Sequence, residues 1–576
     1  MTQPPAPPTA EWDGPSPDLE ASRPRRGSWR GRVAAVASWQ YLVVVAATLV
    51  FGATCIGFLV VTPTLVSPDE EYHFDRVIAA EHGHIVLAPE AINVSRGARG
   101  VEHTYVATYM HGGGKSWADF KPVPRADRPS VDALGGDQRS PNRDVSNYET
   151  QHPPLYYAIM GGLTRLWPGA DAMAGDKLVL LIRTFNVLLM LPLPLLFFAA
   201  ARRLIDNDAI AKSAAFLPLL LPGVAKCAAT INNDNLAILF GSIIVFLAVR
   251  VMTGDRTVRT AALISAACVG ASLTKATVLF VLWIVLAAYI VNWVRARSWP
   301  GWQVFGTLAI GGVLTASWWA HNYIAYGKVQ PDAWGSQFAL AQGRPRGDIP
   351  IDMHAFYRTL WVTAPSRFWG ALGLLEPPKL PHAMIVGLTI ALFVCCIAAV
   401  LILRGRRWDL VILIAAPASA QAMVVLQAYL HYRHYLSIPG IQGRYVYPTV
   451  FGVLLPFSIV LVWLLRRWAQ WAPLVMCVIG LVISVWAIYV QAEFTWLHRG
   501  ERLVPGNWRR AYDTLSAFFP LRSPAVLVFI ALCAVLCISA LTLTAVTVRR
   551  QPVPIAAGGD PERSEPGSPI HSASDR

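Results

Sequence analysis

The segment Ser67–Arg76 (SPDEEYHFDR) places three consecutive carboxylates and a histidine directly after a long apolar segment. If a helix begins at Pro68, Asp69 and His73 lie one turn apart on the same face. A carboxylate there can serve as a general base or, with the histidine, as a ligand of a divalent metal ion. The structural alternative is a helix whose first turn carries Asp69 and Glu70 because acidic side chains favour the positive end of the helix dipole.

Basic residues at the borders of apolar segments form a second group of candidates. Lys275 lies in a short polar turn, Arg183 lies inside an apolar segment, and Arg444 follows a glycine in GIQGRY. Arg367 stands among aromatic residues in PSRFWG. Such cations can bind the phosphate of a lipid, and arginine beside aromatic rings can also contact a sugar. Cations that only extend towards lipid headgroups, or that anchor a loop, are the structural alternative.

Two further motifs have simpler interpretations. The sequence QHPPLYY at 151–157 predicts a helix that begins after two prolines and lies at the membrane interface. The run Asn232–Asn235 (NNDN) predicts a turn and a helix cap. The sequence contains no Walker loop and no GxGxxG, HExxH or GxSxG motif, so ATP hydrolysis, nicotinamide chemistry and zinc proteolysis have no support.

Membrane helices must position these residues, because the chain is too apolar for a soluble protein. Its 576 residues are 54% hydrophobic and 15% charged, whereas a soluble domain carries about 25% charged residues. This composition argues against a soluble enzyme, a nucleic-acid-binding protein and a disordered protein. The net charge of +14 is attributed to loops that orient the chain in a membrane. The sequence therefore predicts an all-α polytopic membrane protein.

A membrane-spanning helix needs about 20 apolar residues, and about 12 segments of the sequence approach this length. The apolar segment Pro153–Trp167 is shorter and is expected to be re-entrant or interfacial. The predicted spans are about 38–61, 178–200, 211–229, 235–252, 259–274, 277–294, 303–321, 383–403, 409–429, 446–465, 471–491 and 523–547.

The basic clusters between these spans fall on one side when the N-terminus is placed in the cytoplasm, as the positive-inside rule requires. Both termini are then cytoplasmic, and the long loops face the outside of the cell membrane. The predicted organisation is a disordered tail at 1–37, a transmembrane domain at 38–547 and a disordered tail at 548–576, with outer loops at about 62–177, 322–382 and 492–522.

Taken in this order, PDE followed by histidine, PPLYY, PSRFWGALG and QGRYVYP resemble the motifs of a bacterial family of multi-spanning membrane proteins. That family has no known function and is grouped with the GT-C glycosyltransferase superfamily. The resemblance covers roughly residues 40–490. The superfamily includes protein O-mannosyltransferases and lipid A aminoarabinose transferases. Its members transfer a sugar from a polyprenyl-phosphate donor at the outer membrane face and hold an acidic residue in the first outer loop.

The resemblance implies roles for individual residues. Asp69 becomes the leading catalytic base and Glu70 the second choice, although Glu71 and Tyr72 stand where the family commonly has a small residue or proline. The only cofactor expected is an optional divalent metal ion, which would bridge Asp69 and His73. Substrate binding, including binding of the donor phosphate, is expected of side chains near the predicted outer face: His73, Arg183, Lys275, Arg367, Arg444 and Tyr445.

The sequence thus predicts a GT-C-like membrane glycosyltransferase with a polyprenyl-phosphate-linked sugar donor. The acceptor would be an envelope glycan, lipid or protein, and no nucleic acid is expected as a partner. Two alternatives stay open. A transporter or flippase for a lipid-linked glycan predicts charged residues deep in the spans. A non-catalytic scaffold for envelope assembly predicts no cavity beside Asp69, whereas a groove open to lipid beside Asp69, His73 and Arg444 would favour the enzyme.

Overall fold

The computed structural model describes residues 26–88, 93–105, 116–139, 146–329, 347, 349–370, 372, 380–438 and 440–549. Within these ranges all regular secondary structure is helical, and β-pairing is restricted to isolated bridges. Most of each predicted terminal tail, 1–25 and 550–576, lies outside the described residues. The all-α class predicted from composition is therefore confirmed.

The α-helices are numbered here in chain order. They are α1 (Arg26–Val61), α2 (Glu70–Glu81), α3 (Arg96–Thr104), α4 (Leu155–Arg165), α5 (Gly175–Met190), α6 (Leu193–Leu204), α7 (Asp208–Ala214), α8 (Pro222–Ala228), α9 (Asp234–Met252), α10 (Val258–Ser272), α11 (Trp283–Ala296), α12 (Trp302–Thr315), α13 (Ser317–Tyr326), α14 (Met353–Trp369), α15 (His382–Ile402), α16 (Arg407–Tyr435), α17 (Phe451–Leu465), α18 (Ala472–Trp496), α19 (Trp508–Phe518) and α20 (Ser523–Arg549).

Among the described residues, 8 helical stretches are long and apolar enough to cross a membrane. The longest contains α17 and α18, which correspond to two of the predicted spans. The predicted number of about 12 spans is therefore not confirmed. The stretches are Tyr41–Val61, Gly175–Leu204, Asp234–Met252, Ala276–Ala296, His382–Ile402, Arg404–Tyr435, Phe451–Trp496 and Ser523–Arg549.

Three predicted spans are not among these 8 stretches. The segment 211–229 is broken after α7, because Pro218 and Pro222 lack backbone N–H groups and Leu221 between them is extended, with φ −116° and ψ 90°. The segment 259–274 corresponds to α10, which has only 15 residues. The segment 303–321 is divided between α12 and α13 where the Ser272 hydroxyl donates to the Thr315 carbonyl.

The two larger hydrophobic cores lie in different parts of the chain. The larger core joins the long helices; in it Phe197 of α6 packs edge-on against Phe451 of α17, with 5.2 Å between the ring centroids. The smaller core joins α2, α3, α4 and the start of α5 and contains the fully buried Phe74 and Tyr157. Gly161 of α4 lies directly on α2, since a Cβ there would be 2.7 Å from the Glu81 nitrogen. This smaller core fixes α2, whose first residues belong to the candidate site.

Candidate functional site

The acidic segment forms a helix that begins two residues after Pro68. Asp69 is the N-cap of α2 and has a left-handed backbone, with φ 63° and ψ 9°, so the helix begins at Glu70 and not at Pro68. The expected shared face of Asp69 and His73 is therefore not formed by their side chains. Asp69 and Glu70 instead direct their carboxylates to different arginines.

Glu70 forms a closed ion pair with Arg183 of α5. The Arg183 Nε and Nη2 atoms lie 2.7 and 2.6 Å from the two carboxylate oxygens of Glu70. The guanidinium also donates to the carbonyls of Thr62 and Pro63 at 2.8 and 2.7 Å, and the Ile231 N–H donates to Glu70 at 3.0 Å. Both side chains are buried and their hydrogen-bonding groups are occupied. The structure thus gives these two predicted site residues a structural pairing.

Asp69 forms a more open pair with Arg444. The Arg444 Nη2 atom contacts one carboxylate oxygen of Asp69, and the Tyr148 hydroxyl donates to the other. Asn147 holds the turn that carries Tyr148, because its side chain accepts a hydrogen bond from the Glu149 N–H at 2.9 Å. The Asp69 side chain remains 26% exposed. Of the two candidate bases, Asp69 and Glu70, only Asp69 is therefore accessible to solvent.

Asp234, the first residue of α9, extends this ion pair into a row of alternating charges. The Arg444 Nε atom lies 3.3 Å from Asp234 Oδ2, and the Lys275 Nζ atom lies 2.7 Å from Asp234 Oδ1. Lys275 also donates to Asn233 at 3.1 Å and lies 5.2 Å from the ring centroid of Tyr445. Three predicted substrate-binding residues, Lys275, Arg444 and Tyr445, are thus brought together beside Asp69.

Arg367 lies near this row at the end of α14. A Cβ at Gly443 would lie 2.3 Å from the Arg367 carbonyl oxygen, so the backbone before Arg444 packs directly on that of Arg367. Burial, followed by repulsion from Arg444, lowers the pKa of Arg367 below its usual value. Within the described part of the chain its guanidinium makes no ion pair or hydrogen bond. Arg367 therefore adds a positive charge near Arg444, and no described residue pairs with it.

His73 belongs to a separate buried cluster. Its Nδ1 atom lies 2.9 Å from the Tyr157 hydroxyl and 3.6 Å from the Glu149 carboxylate, which His152 also contacts at 3.0 Å. Burial lowers the pKa of His73 to about 4, although Glu149 opposes this shift. Among the described residues no group of three or more histidine, cysteine or acidic side chains is arranged to hold a metal ion. The Asp69 and His73 side chains face different partners, so the expected bridging ion would require them to reorient.

An apolar groove of about 780 Å³ lies between α14, α15 and α16. Phe368 and Val446 line it, and they follow Arg367 and Tyr445 directly in the sequence. The Tyr447 hydroxyl donates to the Phe368 carbonyl at 2.9 Å and fixes this junction. Along α15 the lining residues run from Thr389 to Cys396, a rise of about 10 Å. The groove thus begins one residue from Arg367 and Tyr445 and continues over apolar surface between predicted membrane spans.

Residues 53–453 match the family described as "predicted membrane protein (DUF2142)". The chain belongs to this family. No curated protein matches the sequence. Among solved structures the chain is similar to ArnT from Cupriavidus metallidurans in the apo state, with 15% identity, a TM-score of 0.39 and coverage of 89% of this chain and 78% of that chain. It is also similar to the Archaeoglobus fulgidus oligosaccharyltransferase in the apo form, with 12% identity, a TM-score of 0.33 and coverage of 88% and 56%.

The site of this DUF2142 protein contains two residues that the sequence did not single out for chemistry. Asp234 lies in the polar run predicted as a turn and cap, and Asn232 does cap this turn by accepting from the Asp234 N–H at 2.8 Å. The Asp234 carboxylate, however, also pairs with two cations. Tyr148 lies in no recognisable motif. Its role depends on a contact across 79 residues of sequence, which no local pattern indicates.

Proposed function

We propose that the protein is a membrane glycosyltransferase that moves a sugar from a polyprenyl-phosphate donor to a hydroxyl group of an envelope acceptor. The observation that carries the proposal is the partly exposed Asp69–Arg444 pair beside a long apolar groove. A base, a cation for phosphate and a surface for a lipid chain are the three elements that such a reaction needs. The family resemblance in the sequence motifs supports the same reaction.

In the proposed reaction Asp69 accepts the proton of the acceptor hydroxyl. The acceptor oxygen attacks the anomeric carbon from the face opposite the phosphate, so that configuration inverts. The bond from this carbon to the phosphate oxygen breaks, and the electron pair leaves with the lipid phosphate. Arg444 and Arg367 stabilise the charge that develops on this leaving group.

The groove would hold the first part of the polyprenyl chain. Its apolar lining suits isoprene units, and the adjacent Arg367 would contact the phosphate at the end of that chain. The site would face the outside of the cell membrane, with both termini in the cytoplasm, as the basic clusters between the spans indicate. The acceptor would approach from the aqueous side, where Asp69 is exposed.

The test is sugar transfer from a labelled polyprenyl-phosphate sugar by the full-length protein in reconstituted membranes. We expect Asp69→Asn to lower the transfer rate at least about 100-fold, because it removes the base. The exposed Asp513 provides a control, since Asp513→Asn makes the same charge change on α19, a helix that contributes no residue to the site. Normal transfer by folded Asp69→Asn protein would refute the proposal. Movement of the labelled lipid across the membrane without transfer would favour the flippase alternative.

A further inference from the structure

The charges of the candidate site do not cancel. Asp69 and Asp234 contribute two carboxylates, whereas Lys275, Arg367 and Arg444 contribute three cations. Ion pairs join both carboxylates to Lys275 and Arg444, which leaves Arg367 as the excess charge. These five side chains, which we call the charge cluster, therefore carry one net positive charge.

The charge cluster also contains hydrogen-bonding atoms that are not satisfied. The Arg444 Nε and Asp234 Oδ2 atoms are buried and make no hydrogen bond with any described residue, although they lie 3.3 Å apart. A buried N–H without an acceptor is costly, and Arg444 has only 10% of its side chain exposed. Together with Arg367, which has no ion-pair partner among the described residues, this orphaned donor indicates that an anion completes the site.

Two neighbouring carboxylates have partners of their own. Glu149 lies 3.0 Å from His152 Nε2 and 3.6 Å from His73 Nδ1. Glu70 is neutralised by Arg183, which contacts both of its carboxylate oxygens. Burial raises the pKa of Glu71 well above its usual value, which disfavours its charged form, and burial lowers that of His73 to about 4, so the imidazole is uncharged near neutral pH. Within the charge cluster itself, one positive charge thus has no counter-charge among the described residues.

We propose that the charge cluster binds a singly charged phosphodiester and that Asp69 excludes a doubly charged phosphomonoester. The proposal rests on the proposed function and names the charge state of its substrate. The intact donor, in which phosphate links lipid and sugar, is a phosphodiester. The lipid phosphate that remains after transfer is a phosphomonoester.

The physical basis is competition for Arg444. A phosphodiester adds one negative charge, which Arg367 balances while Arg444 remains paired with Asp69. A phosphomonoester adds a second charge and must draw Arg444 away from Asp69, leaving two anions close together with one cation between them. In a partly buried site the effective dielectric constant is lower than in water. One unbalanced charge in contact with the bound phosphate therefore changes its affinity by about tenfold or more. Once Asp69 has lost the proton that it accepts in the reaction, it would thereby favour release of the spent lipid phosphate.

The experiment compares binding of two short-chain probes, farnesyl methyl phosphate and farnesyl phosphate, to the full-length protein in nanodiscs at pH 8. At this pH the monoester is a dianion, because its second pKa is about 6. We expect the wild-type protein to bind the diester about tenfold more tightly than the monoester. Equal affinities, a preference for the monoester, or no binding of either probe would overturn the proposal.

Substitutions assign the selectivity to Asp69. Asp69→Asn should raise affinity for farnesyl phosphate about tenfold and abolish the preference, and Asp69→Ser serves as a second variant if the first does not fold. Arg367→Gln should weaken binding of both probes. Asp513→Asn, with the same change in net charge, should leave both affinities unchanged. An unaltered preference in the folded Asp69 variants would overturn the proposal.

These measurements separate this proposal from the proposed function, because binding does not require turnover. Selective binding by a protein that transfers no sugar would contradict the glycosyltransferase proposal alone. Sugar transfer by a protein that does not distinguish the two probes would contradict the charge-selection proposal alone.

Discussion

Asp69 and Glu70 are adjacent carboxylates that each pair with an arginine, yet they form two different kinds of site. Glu70 and Arg183 are sealed, with side-chain exposures of 0% and 3%. Asp69 is 26% exposed, and its partner Arg444 is shared with a second carboxylate. The difference arises because the helix begins between the two acids, which turns their side chains in different directions. Adjacency in sequence therefore says little about shared function here.

The surroundings of the two pairs explain what each can do. Backbone carbonyls and an N–H group complete the hydrogen bonding of the Glu70–Arg183 pair, so exchanging a partner would leave several buried groups unsatisfied. The Asp69–Arg444 pair lies beside an excess cation and an apolar groove. An arginine in such a position can change partners when an anion arrives. The closed pair is suited to stability and the open pair to chemistry.

The largest effect should come from breaking the closed pair. We expect Glu70→Ala to destabilise the protein by about 3–5 kcal/mol, because it leaves Arg183 charged and buried. Asp69→Ala should cost about 1 kcal/mol or less, since its pair is partly exposed. Chemical unfolding of both variants in the same detergent would measure the difference. Equal losses of stability would contradict the distinction between the two pairs.

The sequence was sufficient for several parts of this picture. Its hydropathy predicted the helical membrane fold, and its motifs brought Asp69, Lys275 and Arg444 into one candidate site. It did not predict that Glu70 is sealed, because local sequence does not reveal that Thr62 and Ile231 close around it. The charge row and the groove are formed by segments distant in sequence, so they depend on tertiary packing.

A second prediction tests the contact that holds the open site together. Gly443→Ala would place a Cβ 2.3 Å from the Arg367 carbonyl oxygen, so the backbone must shift. We expect a loss of about 1–3 kcal/mol in the free energy of unfolding, as for other overpacked sites. Transfer activity should fall further than stability alone explains, because Arg444 moves with the shift.

The control for this substitution is Gly387→Ala in α15. A Cβ at Gly387 meets no atom within 4 Å, and alanine favours a helix over glycine. This variant should be as stable as the wild type or slightly more so. Full activity of Gly443→Ala would show that the close contact does not position Arg444.

A third prediction concerns pH and the sealed region that contains His73. Burial lowers the pKa of His73 from an ordinary 6.5 to about 4, so between these values the unfolded chain binds a proton that the folded protein does not. The contribution of His73 to the free energy of unfolding is therefore fully present above pH 6.5 and decreases as the pH drops towards 4. We expect the free energy of unfolding to fall by about 2 kcal/mol between pH 7 and pH 5. Burial would raise the pKa of Glu149, but its histidine neighbours lower it below the usual value. Protonation of Glu149 therefore causes a further loss of stability at still lower pH.

Unfolding measured at pH 7 and pH 5 would check this prediction. His73→Gln should remove most of the loss, whereas His498→Gln should not, because His498 is exposed and paired with Asp119. The open pair would respond differently, since no histidine in the described part of the chain contacts Asp69. An unchanged pH dependence in His73→Gln would mean that another group carries it.

The smallest effect should come from Tyr148, which contacts the open pair without carrying charge. Tyr148→Phe removes the hydroxyl that donates to Asp69 but retains the ring, which packs against Tyr72 with 4.5 Å between centroids. We expect kcat for sugar transfer to fall about tenfold, since Asp69 loses one of the groups that orient it. KM for the donor should change less than kcat, because the hydroxyl that is removed donates to Asp69 and not to the donor phosphate.

The matched control is Tyr72→Phe. This variant removes the hydroxyl of the neighbouring ring and retains the Tyr148 hydroxyl that donates to Asp69. If Tyr148 orients the base, only Tyr148→Phe lowers kcat, while both variants unfold within about 1 kcal/mol of the wild type. Equal activities would remove Tyr148 from the site. A lowered kcat with unchanged stability would sharpen the contrast with Glu70, because the loss of a contact at the open pair would then affect chemistry and not folding.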